Sequence, residues 1–303
     1  MNTLSFGEIL WDIINGHSYI GGAPFNLAVH LAKMGCRSTL ISSVGKDKLG
    51  KRALEEALQR QVNTEFIQCH PFLPTGVVNV KLDSKGHPAY RIIENVAWDH
   101  IELNKNSIFN LSKINWEIFC FGTLAQRTPE NRKMLNHLLF SIKPRHVFYD
   151  VNLRQHYYRK EWVEKSLCQS TIVKLNDREA SMLSELLFQQ KLKQKDFIKN
   201  LAEKYDLSIV CVTHGKEGVS IYHQDSLERV PGINGPVTDT VGAGDGFSAA
   251  FLFSYLCGSS IFESAEFGEI VANFVVSQSG AVPKYPKWLE KEINNLHRIK
   301  KSI

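Results

Sequence analysis

The 303-residue sequence predicts an α/β protein: a mainly parallel central sheet with helices on both faces, plus a small separate β-sheet. Three observations predict it. Short β-rich runs alternate with helical runs along most of the chain. Residues 66–101 break that rhythm, with several short strands and no helix. Near the C-terminal end a glycine-rich loop opens an apolar helix.

Taken in order, strands are expected at Leu4–Ile9, Ser38–Val44, Gly76–Leu82, Ile118–Gly122, His146–Val151, Thr171–Leu175, Ile209–Thr213 and Val219–His223. Helices are expected at Pro24–Met34, Leu49–Arg60, Glu130–Ile142, Arg178–Phe188, Phe197–Tyr205, Gly246–Cys257, Ile261–Gln278 and Trp288–His297. In the exceptional stretch, Gly76–Leu82 alternates, D-S-K-G at Asp83–Gly86 supplies a turn, and Ala89–Ile93 resumes. That is a hairpin signal. The hairpin reads as a small sheet or lid, or else as an antiparallel edge of the main sheet. No internal repeat or low-complexity linker divides the chain, so residues 1–303 are expected to form one domain.

Composition narrows the function classes. An apolar fraction of 43% fills a sizeable core and argues against disorder. No run of about 18 apolar residues exists, so no membrane-spanning helix is expected. Met1–Leu10 lacks a basic segment followed by a long apolar one and does not read as a signal peptide. Cysteines at 36, 69, 120, 168, 211 and 257 are scattered without a C-x-x-C pair, which argues for reduced thiols in the cytoplasm. The net charge of +5 arises partly from Lys291, Arg298, Lys300 and Lys301 near the end of the chain. Such a run is a solvated helix face, and nucleic-acid binding is not inferred from it.

The most informative stretch is D-T-V-G-A-G-D-G-F at Asp239–Phe247. Gly242, Gly244 and Gly246 let the backbone turn tightly and bring N–H groups close to a ligand. The free amides of a helix N-terminus attract phosphate. A carboxylate in such a loop, Asp245, opposes phosphate unless it has other work, such as taking a proton from a nucleophile. The plainer alternative is a strand-to-helix turn with Asp245 as N-cap. The spacing is neither the G-x-G-x-x-G of dinucleotide folds nor the G-x-x-x-x-G-K-[ST] of P-loops. Phosphate binding then rests on backbone amides and the helix end.

Other polar residues follow strands, where open α/β sheets bind ligands. Glu8 and Asp12 follow the first strand; Gly21, Gly22 and Asn26 open the first helix. Asp150, Asn152 and Arg154 follow H-V-F-Y, Asn176 and Glu179 follow T-I-V-K-L, and Thr213, His214 and Gly215 follow I-V-C-V. Each alone is weak, since polar residues ordinarily cap helices after strands. Together they place phosphate-binding glycines, hydroxyl-binding carboxylates and an arginine on one rim. Phosphoryl transfer to a polyol accounts for that set.

At these residues the chain resembles the ribokinase-like (PfkB) carbohydrate kinases. One signature, G-G-x-x-x-N-x-A, stands at Gly21, Gly22, Asn26 and Ala28; the other, D-T-x-G-A-G-D, at Asp239–Asp245. The likeness extends through G-K-D-x-L-G at Gly45–Gly50, N-x-x-E at Asn176–Glu179, T-H-G-K-E-G at Thr213–Gly218 and S-G-A-V-P ending at Pro283. It implies a three-layer α/β/α ribokinase-like fold with a β-sheet lid formed by about 13–20 and 66–101. It implies that Asp245 is the catalytic base and that the amides of Gly242, Ala243 and Gly244 form an anion hole. Asp12, Gly22 and Asn26 resemble sugar ligands. Asn176 and Glu179 resemble the motif that organises Mg2+ through water, and Thr213, Gly215, Gly218 and Asn273 would border ATP beside Gly242 and Gly244. Asp239 and Val241 sit where relatives often hold a monovalent cation such as K+.

D-V-N-L-R at Asp150–Arg154 is similar to the D-P-N-x-R of fructokinases and 2-keto-3-deoxygluconate kinases, with Val151 in place of proline. Arg154 would approach the sugar or the phosphates in the first case and neutralise the acid in the second; a surface ion pair is the plain alternative. G-E-I-L-W-D and G-G-A-P-F-N look most like bacterial fructokinases, so D-fructose is the expected acceptor, with 2-keto-3-deoxygluconate or another sugar as alternative. Arg91, Arg127 and Arg154 would have to converge for a sugar-phosphate acceptor. A sugar-binding regulator without turnover is disfavoured by the intact Asp245. The apolar lid residues Phe72, Val78, Val80, Ile92, Ile93, Val96 and Trp98 exceed what a thin sheet buries alone, which predicts a homodimer through the lids.

Overall fold

The computed structural model describes residues 1–82 and 88–302. The chain begins with β1 (Asn2–Phe6), a hairpin of β2 (Leu10–Ile14) and β3 (His17–Gly21), helix α1 (Ala23–Lys33), strand β4 (Arg37–Gly45) and helix α2 (Lys48–Gln59). Strands β5 (Ile67–His70), β6 (Gly76–Leu82) and β7 (Pro88–Ile92) follow. Then come α3 (Lys105–Ser112), β8 (Ile118–Gly122), α4 (Pro129–Ile142), β9 (His146–Asp150), α5 (Lys160–Cys168), β10 (Ile172–Asn176), α6 (Asp177–Phe188), α7 (Gln194–Tyr205) and β11 (Ile209–Thr213). The chain closes with β12 (Gly218–His223), β13 (Ser226–Pro231), α8 (Ala243–Leu256), α9 (Ile261–Val276) and α10 (Lys287–Ser302).

Nine strands form one sheet in the order β13-β12-β11-β10-β9-β8-β1-β4-β5. Strands β5 through β11 in that order run parallel, and β12 and β13 are antiparallel additions at one edge. Side chains alternate between the faces. Phe119, Phe121, Tyr149, Val173 and Val210 face α3 to α7, while Ile118, Cys120, Phe148, Ile172 and Ile209 face α1 and α8 to α10. The result is the expected three-layer, ribokinase-like arrangement. Its parallel strands end on one rim.

The hairpin stretch forms its own sheet, order β3-β2-β6-β7, rather than an edge of the main one. Leu10, Val78 and Ile92 pack there against Val96, Trp98, Leu124 and Tyr157. The segment is smaller than 66–101, because β5 pairs with β4 in the large sheet. The predicted D-S-K-G turn and the side chain of Val80 lie outside the described residues. The β2–β3 turn uses Asn15 and Gly16 at φ 49° and 80°, the positive-φ pair of a type I′ hairpin. Helix α8 starts at Ala243 rather than Gly246, with Gly242 as N-cap at φ 79°. Glycines are poor helix formers, but α8 is buried almost along its length, and packing overrides propensity.

Candidate active site

The rim is built around the first turn of α8. Gly242 needs glycine twice over: its φ is 79°, and a Cβ there would come within 2.5 Å of the Ala281 backbone. Gly244 has no such backbone demand. Instead, a Cβ there would stand 3.0 Å from Lys174 Nζ, so the glycine leaves room for an ammonium. The opening amides of a helix have no intrahelical partner; only Ala243 makes a long bond, 3.4 Å, to the Thr240 carbonyl.

Asp245 is the third residue of α8, not its cap. Its Oδ2 accepts from Asn26 Nδ2 at 2.8 Å, so α1 orients the carboxylate across the rim. The residue keeps part of its surface exposed. Protein packed around the carboxylate, with Asp150 nearby, pushes its pKa from 3.8 to about 7, against the pull of Asn26, Lys174 and Arg154. A carboxylate tuned there, reachable and fixed in direction, is suited to general-base work.

Asp12 projects from β2 beside Gly21, and burial raises its pKa to about 6 against the opposing charge of Arg154. Gly22 caps α1 at φ 111°, and the Glu8 carbonyl fills the space where its Cβ would be. Asn26 spends its amide N–H on Asp245 while its Oδ1 is buried without a hydrogen bond, an acceptor left for a hydroxyl. Glu8 is 3% exposed, its Oε2 likewise unpartnered; desolvation, helped by Asp245, raises its pKa to about 7. Arg154 is exposed, and its charge reaches Glu8, Asp12 and Asp245.

The other two arginines do not join it. Arg127 is buried in an ion pair with Asp99, 2.6 Å from Nε to Oδ1, and lies over the rings of Trp98 and Tyr157. It holds the base of the small sheet together instead of facing a sugar phosphate. Arg91 stands on β7 opposite Asn79, whereas Asp12 shares a row with Val78 and Ile92. Alternation therefore puts Arg91 on the opposite face of the small sheet from Asp12.

Asn176 and Glu179 form a capping box on α6: Asn176 Oδ1 accepts from Glu179 N at 2.8 Å, and Glu179 Oε2 accepts from Asn176 N at 2.9 Å. Glu179 Oε1 accepts from Leu153 N at 2.9 Å, which fixes the D-V-N-L-R loop. Burial raises the pKa of Glu179, opposed by Lys174. Thr213 ends β11. Gly215 has φ 57° with open space where a side chain would go, while Gly218 at φ 96° is pressed against Val230 and Gly232. Asn273 Nδ2 donates to the Ile233 carbonyl at 2.6 Å and packs on Gly235. Asp239 accepts from Val241 N at 3.0 Å and from Gly280 N at 3.1 Å, clasping the glycine loop to the 277–282 segment; Val241 itself is exposed.

Two residues without an expected role take part. His30, fully buried on α1, meets Tyr285 Oη at 2.6 Å and the Ala281 carbonyl at 3.0 Å. One tautomer satisfies both, with Nε2–H donating to the carbonyl and Nδ1 accepting from the phenol. Burial lowers its pKa to about 4, so the ring is neutral and braces the backbone under Gly242. Lys174, 7% exposed on β10, pairs with Asp150, Nζ lying 3.3 Å from both oxygens. Its signal in the sequence is a lone charge inside the apolar strand T-I-V-K-L.

The model of the pfkB family carbohydrate kinases matches residues 3–288. A sugar kinase of Pyrococcus horikoshii, named as uncharacterized in its crystal structures, is 28% identical over 91% of this chain and 90% of its own. Probable fructokinase-5 of Arabidopsis thaliana is 26% identical over 93% of this chain and 94% of its own. A 5-dehydro-2-deoxygluconokinase of Clostridium botulinum is 25% identical over 93% and 85%. Among solved structures, the P. horikoshii kinase in complex with ATP superposes with a TM-score of 0.81 at 26% identity, covering 97% and 99% of the two chains. A fructokinase with bound ATP from Xylella fastidiosa gives 0.84 at 21% identity over 100% and 99%. A Vibrio cholerae fructokinase double mutant with fructose, ADP and potassium gives 0.79 at 20% over 97% of each.

Proposed function

This chain belongs to the pfkB family of carbohydrate kinases, and from that membership we propose that it transfers the terminal phosphoryl group of ATP to a primary hydroxyl of D-fructose, giving fructose 6-phosphate. One observation carries the reading: Asp245 stands in the first turn of α8 with its carboxylate oriented by Asn26 and its pKa raised to about 7. Asp245 takes the proton of the attacking hydroxyl. The amides of Gly242, Ala243 and Gly244 receive the phosphoryl oxygens, since this chemistry is mostly positioning and charge stabilisation. Asp12, Gly22 and Asn26 hold the sugar, and Thr213, Gly215, Gly218, Asn176 and Asn273 border the nucleotide.

The donors also suit magnesium. Among the described residues no group of three or more His, Cys, Asp or Glu is arranged to cage a metal. Magnesium keeps several waters and uses few protein ligands besides substrate phosphates, and the hard oxygens of Glu179, with Asp150 close by, are of the right kind. When bound with the nucleotide it would neutralise phosphate charge. Asp239 and the Val241 carbonyl are the corresponding choice for K+, an ion found in the V. cholerae fructokinase. Free cysteines fit a cytoplasmic location, and no helix among the described residues is long and apolar enough to cross a membrane.

A second reading has its own support. Arg154 lies exposed within electrostatic reach of Asp12 and Asp245, well placed for the carboxylate of a sugar acid such as 2-keto-3-deoxygluconate. A panel of hexoses and keto-sugar acids with ATP, read by ADP release, separates the two. Turnover on the acid and none on fructose would reject the fructose assignment.

A further inference from the structure

We propose that Lys174 is a catalytic residue of the phosphoryl transfer, its ammonium donating to the non-bridging oxygens of the group in flight. The proposal rests on the kinase reading of the same site and adds a residue to it.

Lys174 lies on the face of β10 shared by Ile172 and Asn176, and the parallel register sets it beside Asp150 of β9 and Cys211 of β11. Every other β10 residue from Ile172 to Leu175 is apolar and buried. A lysine there is costly to bury and needs a use. Nζ stands between Asp150 and the first turn of α8, 3.3 Å from the Asp150 oxygens and 3.0 Å from where a Cβ on Gly244 would be. Both contacts to Asp150 are longer than the roughly 2.7–2.9 Å of a strong charge-assisted bond. Among the described residues Asp150 is its only hydrogen-bond partner, so an ammonium donor is left over. The ion pair with Asp150 offsets the cost of burying the ammonium.

The step balances without further reagents. The sugar hydroxyl passes its proton to the Asp245 carboxylate as its oxygen bonds to phosphorus. The bond from that phosphorus to the bridging oxygen breaks, and its electron pair leaves on ADP. Lys174 stays protonated throughout. Neutral amides at the helix end supply partial charge; Lys174 adds a full one at the point where negative charge spreads over the equatorial oxygens. Gly244 then has a purpose that its backbone angles do not explain: it lets the ammonium approach the helix end.

The test compares wild type with K174M, using ATP and the best acceptor. The expected loss in kcat is about 10²–10³-fold, with the Kd for ADP and for the sugar within about threefold of wild type. A brace for Asp150 alone would be indifferent to the phosphoryl group. Therefore the tightening of ADP binding by aluminium fluoride in the presence of sugar is measured too, and it should disappear in K174M. If K174M melts early, K174M/D150N removes both buried charges together and the same ratio of ADP affinities with and without aluminium fluoride is read. Turnover of K174M within a few-fold of wild type, or an unchanged aluminium fluoride effect, overturns the assignment of Lys174 alone. Wild-type protein inactive on every sugar would overturn the kinase reading and this proposal with it.

Discussion

Asp245 carries the sharpest expectations. Asp245→Asn preserves shape and the contact with Asn26 while removing the base. Turnover should fall by about 10²–10⁴-fold with sugar affinity largely kept, as measured by ADP release and calorimetry. In wild type, the acidic limb of kcat/KM should have its midpoint near pH 7, set by the raised pKa of Asp245. Stability follows the same group with a definite sign. A carboxyl whose folded pKa exceeds its unfolded value favours the fold at low pH and loses that contribution as pH rises through the folded value. The Asn variant should therefore melt higher than wild type at pH 8, and the gap should close by pH 4. Asp245 was legible in the sequence because the whole loop is contiguous. Lys174 was not, because its meaning comes from Gly244, seventy positions on. The pairing of Arg127 was hidden for the same reason: its partner Asp99 lies 28 residues away.

At the scale of elements, two loops and helix α1 are fastened to one another. Asp239 clasps Gly280, His30 holds Ala281, and Ala281 packs beneath Gly242. Gly242→Ala forces a side chain into left-handed backbone, at about 1–2 kcal/mol, and into Ala281. It should lower the denaturant midpoint modestly and kcat by about 10²-fold through displacement of the amides, with sugar KM changed far less. Strands with apolar runs and helices with clear periodicity were legible; α3 and α5, short and weakly apolar, were not. Strand β3 was missed although Asn15-Gly16 is a strong hairpin signal, because its residues are largely exposed and polar. The start of α8 was misplaced because intrinsic propensity counts against Ala-Gly-Asp-Gly, while burial decides for it.

For the whole molecule, the small sheet bears on assembly. Val78, Ile92, Val96 and Trp98 are buried within the chain, so the apolar surplus is smaller than composition suggests. Among the described residues, Phe72 at 90% and Tyr19 at 54% exposure remain, together with the outer edges of β3 and β7, which pair with no further described strand. Open edges invite pairing. A homodimer through these sheets should sediment at twice 34.4 kDa at micromolar concentration; a monomer there would remove the proposal.

The hydrogen bond from Asn26 to Asp245 spans 219 positions of the chain. Asn26 is made early in synthesis, and Asp245 is made late. On the proposed reading, a ribosome-stalled or clipped product lacking its final fifth would carry Asn26 without Asp245, and so would lack the base.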